Sequence, residues 1–102
     1  MSVVKIEAFP WLSGTFGAPR SDRLILEEEI EEGATTGDLL RNLAATYRKF
    51  GELAFDEETQ NLSGHITIVL NGRLLELAGG LEARLKDGDS VLLLPAFDGG
   101  AG

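Results

Sequence analysis

The alternation of apolar and charged residues near the N-terminus predicts two strands. Val4, Ile6 and Ala8 alternate with charged residues, so their side chains share one face of an extended segment. Residues 10–22 then collect glycine, proline and serine, which favour irregular backbone and predict a long surface loop. Apolar residues return in the segment 24–30, which predicts a second strand that runs into an acidic stretch.

A helical repeat follows. Leu39, Leu43, Tyr47 and Phe50 recur at helical spacing and predict one strongly amphipathic helix, whose apolar stripe covers the sheet.

The ends of this helix carry their own signals. Thr36 is placed to act as N-cap, and Asp38 lies in the first turn, where the helix dipole favours an anion. Gly51 is placed to end the helix in a left-handed conformation, which a residue without a Cβ adopts at little cost.

The second half of the chain predicts three further strands. The segment 66–70 runs into Asn71-Gly72, a dipeptide typical of a two-residue hairpin because both of its positions need positive φ. The segment 74–77 would return as a short strand, and the continuous apolar run 91–94, closed by Pro95, suits the centre of a sheet. The predicted order of strand, strand, helix, strand, short strand and strand favours an α+β fold with the helix across one sheet face.

Three segments in this order resemble those of a known family. Residues 32–40 resemble the strand-to-helix junction of the ThiS/MoaD sulfur carriers, and residues 69–73 resemble the hairpin of that family. Residues 85–95, followed by Gly99 and Gly100, resemble its last strand and active tail. The resemblance implies a ubiquitin-like β-grasp fold, with a mixed sheet of four to five strands and one main helix packed on one face. We expect this domain to span residues 1–95 and a flexible tail that carries the diglycine to span residues 96–102.

The same resemblance implies a function for the tail. An activating enzyme would bind Phe97, Asp98, Gly99 and Gly100, adenylate the carboxylate of Gly100 with its own ATP, and convert that carboxylate to a thiocarboxylate. A synthase subunit would then accept the sulfur, for a molybdopterin precursor above all, or for a thiazole precursor or a transfer RNA. Attack by a lysine amine on the activated carboxyl would instead make the chain a ubiquitin-like modifier.

The chain departs from the family pattern in its last residues. It continues beyond Gly100 through Ala101 to Gly102, so either a protease removes these two residues or Gly102 is the acyl terminus. In addition, Phe97 and Asp98 stand where the family has small apolar residues before the diglycine.

Composition narrows the classes of partner that the chain is expected to bind. The formal net charge of −8 opposes binding to nucleic acid or to an anionic membrane and favours an activating enzyme with a basic surface. The sequence has no cysteine, which excludes a thiolate nucleophile and cysteine-ligated metal. Charged residues interrupt the N-terminal apolar residues, so no signal peptide is predicted and the expected location is the cytoplasm.

The remaining candidate residues favour structural interpretations. The glutamates of residues 27–32 predict a solvated acidic edge, because consecutive strand residues point to opposite faces. His65 has no partner at a catalytic spacing, and Gly79-Gly80 lacks the lysine of a phosphate-binding loop. Trp11 is either an interface anchor or a cap on the core. The sequence therefore predicts no intrinsic enzyme and no cofactor or metal bound by the chain itself, and a passive β-grasp interaction domain stays open as a third hypothesis.

Overall fold

A five-stranded sheet and two α-helices make up the domain. The computed structural model describes residues 2–10, 12–17, 23–55 and 66–95. The helices and strands are β1 (Ser2–Ala8), β2 (Leu24–Ile30), α1 (Thr36–Thr46), α2 (Arg48–Ala54), β3 (Ile66–Leu70), β4 (Arg73–Leu74) and β5 (Ser90–Pro95). Within these ranges no helix is long and apolar enough to span a lipid bilayer.

The sheet is mixed, and the last strand lies at its centre. The strand order is β2-β1-β5-β3-β4, in which β1 and β5 are parallel and the other neighbours are antiparallel. The predicted α+β fold with a ubiquitin-like β-grasp arrangement is therefore confirmed, as is the central position of the apolar run 91–94.

The helical segment differs from the prediction of one continuous helix. Tyr47 has an extended backbone (φ −117°, ψ 92°), so α1 ends there and α2 begins at the next residue. Gly51 is not the predicted C-cap and lies inside α2. A Cβ at Gly51 would lie 3.0 Å from the Cβ of Ala44, so glycine is needed for the close approach of the two helices.

The N-cap of α1 is Thr35, one residue before the predicted Thr36. The Thr35 hydroxyl accepts a hydrogen bond from the Asp38 N–H (3.1 Å), and the Asp38 carboxylate accepts one from the Thr35 N–H (3.0 Å). This reciprocal capping box satisfies two donors at the helix start. Thr36 is buried, and its hydroxyl donates to the Ala83 carbonyl (3.1 Å), which ties the helix start to the chain leading into β5.

The prediction of a surface loop over residues 10–22 is wrong in its first half. Leu12–Phe16 forms a 3₁₀ helix, and both of its end residues are buried. The Phe16 ring lies 5.0 Å from that of Tyr47 and 4.9 Å from that of Phe50, so this segment covers the junction of α1 and α2. Trp11 and His65 lie outside the described residues, and their interpretations stay predictions.

The predicted short strand 74–77 is also shorter than expected. β4 ends at Leu74, and Leu75–Leu77 forms a 3₁₀ turn that buries Leu75. The preceding hairpin is as predicted, since Asn71 and Gly72 have φ values of 50° and 85°. Gly79 and Gly80 also form the predicted turn, with φ values of 114° and 68°.

Candidate functional site

Two turns that look independent in the sequence form one hydrogen-bonded unit at the start of β5. The Asn71 side-chain carbonyl accepts from the Ser90 N–H (2.8 Å), and the Asn71 amide donates to the Asp89 carboxylate (3.0 Å). That carboxylate also accepts from the Lys86 N–H (2.7 Å), while Asp87 accepts from the Val3 N–H (2.8 Å). The start of β5 is therefore fixed by side chains from both turns.

The other end of β5 is where the chain passes into the tail. Pro95, its last residue, lies opposite Ile66 of β3, and the Phe9 N–H donates to the Leu93 carbonyl (3.1 Å) on the β1 side. All of the predicted tail residues lie outside the described residues, and their roles stay predictions. They are the residues expected to bind the activating enzyme, Phe97, Asp98 and Gly99, the expected acyl terminus Gly100, and its alternative Gly102. The structure thus places the root of the tail just beyond the Phe9–Leu93 hydrogen bond, at the end of a strand that stays paired with β3 as far as Pro95.

The sheet face opposite the helices carries an almost apolar row that crosses all five strands. Strand register places its members side by side, in the order Ile25, Glu7, Leu92, Val69 and Leu74. Its two end residues, Ile25 and Leu74, are 51% and 44% exposed. We call these five residues the open-face row. Such an exposed apolar band is typical of a protein-binding surface.

Glu7 is the one charged member of the open-face row, and it is neutralised by Arg23, the residue just before β2. The Arg23 guanidinium lies 3.0 Å from the Glu7 carboxylate and stacks over the Phe9 ring, 4.6 Å from its centroid. Glu7, Phe9 and Arg23 form the Arg23 cluster. Together with Leu92 and Val69 they line a shallow groove of about 370 Å³ beside the tail root.

Charge is distributed unevenly along β2, the edge strand. Arg23 precedes the strand at the end where the tail leaves, whereas Glu27 and Glu29 are exposed towards the opposite end. The acidic run therefore lies on a sheet edge, as its pattern predicts, where charge discourages pairing with another strand. The distance along the strand between residues 23 and 29 is about 20 Å.

Neither the open-face row nor the Arg23 cluster was predicted from the sequence. Members of the row come from five strands, and their alignment depends on registers that no local pattern specifies. Arg23 sits just beyond a segment read as a loop. The available signal was the period-two pattern itself, which places Glu7 and Leu92 on the faces of their strands opposite the core.

Comparison with known proteins identifies the family. The model of the ThiS family matches residues 20–100. The chain belongs to the ThiS family. It is 36% identical over 72 residues to small archaeal modifier protein 3 of Haloferax volcanii, across 70% of this chain and 75% of that protein. It is also 35% identical over 69 residues to the sulfur carrier protein CysO of Mycobacterium tuberculosis, across 67% of this chain and 74% of CysO.

Solved structures agree with this assignment. Small archaeal modifier protein 1 of Methanosarcina acetivorans superposes with a TM-score of 0.75 and 30% identity, over 97% of each chain. A putative molybdopterin converting factor subunit 1 of Pyrococcus furiosus gives 0.69 and 27%, over 95% of this chain and all of that one. CysO in the BexX/CysO complex of Amycolatopsis orientalis gives 0.69 and 26%, over 94% and 98%. The ThiS family protein therefore shares its fold with sulfur carriers and ubiquitin-like modifiers, which are small carrier proteins rather than enzymes.

Proposed function

We propose that this ThiS family protein is a sulfur carrier in which Gly100, made C-terminal by removal of Ala101 and Gly102, is activated and converted to a thiocarboxylate. The observation that carries the proposal is the family match, which runs through β5 and ends at Gly100. The Gly100 carboxylate would attack the α-phosphate of ATP and release pyrophosphate. Hydrosulfide would then attack the acyl carbon and displace AMP to leave the thiocarboxylate; if a persulfide attacks instead, a second thiol must cleave the resulting acyl disulfide and form a disulfide with the donor sulfur.

The fold supports this chemistry by holding the root of the tail while leaving the reacting end to the partner. β5 pairs with both β1 and β3 as far as Leu93, and its last two residues stay paired with β3, so the root of the tail is anchored to the sheet. Glycines at 99 and 100 have no Cβ and fit a narrow channel. The ATP site belongs to the partner, which we expect in the cytoplasm, where ATP is available.

The open-face row is the surface that such a partner would cover. An enzyme that encloses the tail from its root must approach the sheet face beside Phe9, where the row and its groove lie. The complex of CysO with BexX supports the idea that a chain of this fold binds another protein. The basic surface expected of the activating enzyme would face the acidic part of β2, where Glu27 and Glu29 are exposed.

A molybdopterin precursor is the sulfur acceptor that we favour. The likeness to a putative molybdopterin converting factor subunit supports this choice, and it implies a synthase subunit as the second partner. The acceptor would be identified by incubating the thiocarboxylated chain with candidate synthases and measuring sulfur transfer to each precursor.

Protein modification is a second function that one observation favours. The 36% identity to small archaeal modifier protein 3 supports conjugation of the C-terminal glycine to lysine amines. Intact-mass spectrometry of the protein from its native host discriminates the two. A carrier gains 16 Da when sulfur replaces one carboxylate oxygen, whereas a modifier gives larger adducts that survive reduction and denaturation.

The position of the acyl terminus is tested with three chain lengths. The full chain, a chain ending at Gly100 and a chain ending at Asp98 are each incubated with the activating enzyme of the host while ATP–pyrophosphate exchange is measured. We expect exchange with the Gly100 form, none with the Asp98 form, and exchange with the full chain only after Ala101 and Gly102 are removed. Only a terminal carboxylate can be adenylated, and two extra residues would displace it by up to about 7 Å.

Two outcomes would change the proposal. Equal exchange by the untrimmed full chain would make Gly102 the acyl terminus. Absence of exchange with every form would reject the carrier function with that enzyme.

A further inference from the structure

The Arg23 cluster has a feature that folding alone does not require. Glu7 lies in the middle of the open-face row, between Ile25 and Leu92. Its side chain is 24% exposed, whereas that of Arg23, its ion-pair partner, is 54% exposed. An exposed pair of this kind contributes little to stability. Its value lies in what happens when another protein covers the row, because an unpaired carboxylate buried there would oppose binding.

Arg23 is held in a geometry suited to a further contact. Glu7 binds one of its terminal nitrogens, and the Phe9 ring supports the plane of the guanidinium. A guanidinium carries five N–H donors in a fixed fork, and carboxylates match that fork with two parallel hydrogen bonds. Because the side chain is already oriented, less conformational entropy is lost when it binds a second acceptor.

Charge in the groove indicates the chemistry of that acceptor. Among the residues that line it, Lys5 and Arg23 are cationic and Glu7 is anionic. Arg23 lies at the tail-root end of the groove, whereas Lys5 lies opposite Ser90 at the other end and opposite Glu27 of β2. A protein surface that covers the tail-root end would meet the remaining N–H donors of Arg23 best with a carboxylate.

We propose that Arg23 is a specificity-determining residue, which binds an acidic side chain of the activating enzyme beside the entrance of the tail channel. This inference rests on the proposed function, because the activating enzyme would lie over Phe9 only if it binds the tail. The enzyme surface would then carry charges of both signs. Its acidic side chains would lie at the tail root, and its basic side chains would lie opposite Glu27 and Glu29. A charge pattern that changes sign over about 20 Å fixes the orientation in which the two proteins meet.

The test measures ATP–pyrophosphate exchange with the activating enzyme of the host, using the chain form that is active in the wild type. We expect Arg23→Glu to raise KM by about tenfold or more with little change in kcat, because the contact precedes the chemical step. Arg23→Lys should raise KM less than Arg23→Glu does, since lysine keeps the positive charge but lacks the forked donors of the guanidinium. Arg41→Glu is the matched control, because Arg41 is 60% exposed and also has a carboxylate neighbour, Asp38 at 3.8 Å, but lies on α1. Arg41→Glu should leave KM unchanged.

A charge swap separates recognition from structure. The double variant Glu7→Arg/Arg23→Glu keeps an ion pair at the same place, and thermal melting verifies that the fold is intact. Our inference requires the KM of the swap to stay raised, because an anion now stands where the enzyme carboxylate binds. Recovery of wild-type KM by the swap, or an unchanged KM in Arg23→Glu, would overturn it while leaving the carrier function in place. Failure of the wild type to exchange would reject the proposed function itself, and this inference with it.

Discussion

The two faces of the sheet are built from the same strands but differ in what covers them. Val91 and Leu93 of β5 are buried beneath the helices, whereas Leu92 and Leu94, which alternate with them, are only half-buried on the opposite face. One step along a strand reverses the face to which a side chain points. If the open face is the docking surface, folding and recognition depend on alternate positions of one strand. Substitutions on the helix-covered face should change stability, and substitutions on the open face should change binding.

The largest effect should come from the helix-covered face. Leu93→Ala and Leu43→Ala each leave a cavity in the core, because both side chains are buried. We expect a loss of about 2–5 kcal/mol in the free energy of unfolding, measured by denaturant titration. Leu92→Ala is the matched control, one residue away on the other face, and should cost clearly less. Unchanged unfolding of both core variants would refute the core assignment.

A smaller effect is expected where the two helices meet. Gly51→Val introduces a Cβ 3.0 Å from the Ala44 Cβ and 3.1 Å from the Ala44 carbonyl oxygen, closer than ordinary packing allows. We expect a loss of about 1–3 kcal/mol, because part of this contact is with the backbone and relaxes poorly. Ala45→Val adds the same side chain at an exposed site of α1. Valine has a higher helix propensity than glycine, so an unchanged or raised melting temperature of Gly51→Val would mean that the close approach costs less than propensity gains and would contradict this prediction.

Local patterns were enough for most strands of this fold and not enough for the break in its helix, its first 3₁₀ helix or its surfaces. The alternation in β1 and the Asn71-Gly72 turn depend on short-range chemistry, and both are found as predicted. Tyr47, where the helix breaks, packs against Phe16, which comes from a segment predicted to be a loop. The apolar residues of this segment were a signal of burial, but the glycines and proline around them obscured that signal. Local patterns could not predict the position of Arg23 either, because the pairing of β2 with β1 brings it to Glu7.

The start of α1 provides a third test, with an effect of about 1 kcal/mol. Thr35→Ala removes the hydroxyl that accepts from the Asp38 N–H, and loss of an N-cap side chain typically costs that amount. Thr35→Ser keeps the hydroxyl and should retain most of the stability. Equal melting of Thr35→Ala and wild type would show that solvent replaces the cap. Neither variant touches the open face, so KM in the exchange assay should stay constant.

The same cap gives a dependence on pH. The hydrogen bond from the Thr35 backbone N–H lowers the pKa of Asp38 below its ordinary value of 3.8. A carboxyl group whose pKa is lower in the folded state stabilises that state above the unfolded pKa, and the contribution disappears as pH falls through the folded pKa. Asp38→Asn should therefore lose stability at neutral pH, and its difference from wild type should narrow in acid, below about pH 4. A difference that is constant from pH 7 to pH 2 would contradict the role of the charge.

The smallest effect on stability should come from the exposed end of the open-face row. Leu74→Ser alters a side chain that is 44% exposed on a two-residue edge strand, so its free energy of unfolding should stay within about 0.5 kcal/mol of wild type. If the row is the docking surface, the same substitution should raise KM for the activating enzyme about fivefold, equivalent to ~1 kcal/mol of lost apolar contact. Leu77→Ser is the control, because Leu77 is 68% exposed and lies three residues further on, outside the row. A rise in KM confined to Leu74→Ser would place the partner on the open face, whereas equal rises in both variants would move the contact to the 3₁₀ turn beyond β4. No rise in either would mean that the enzyme holds the chain by its tail and the groove beside it, without reaching this end of the sheet.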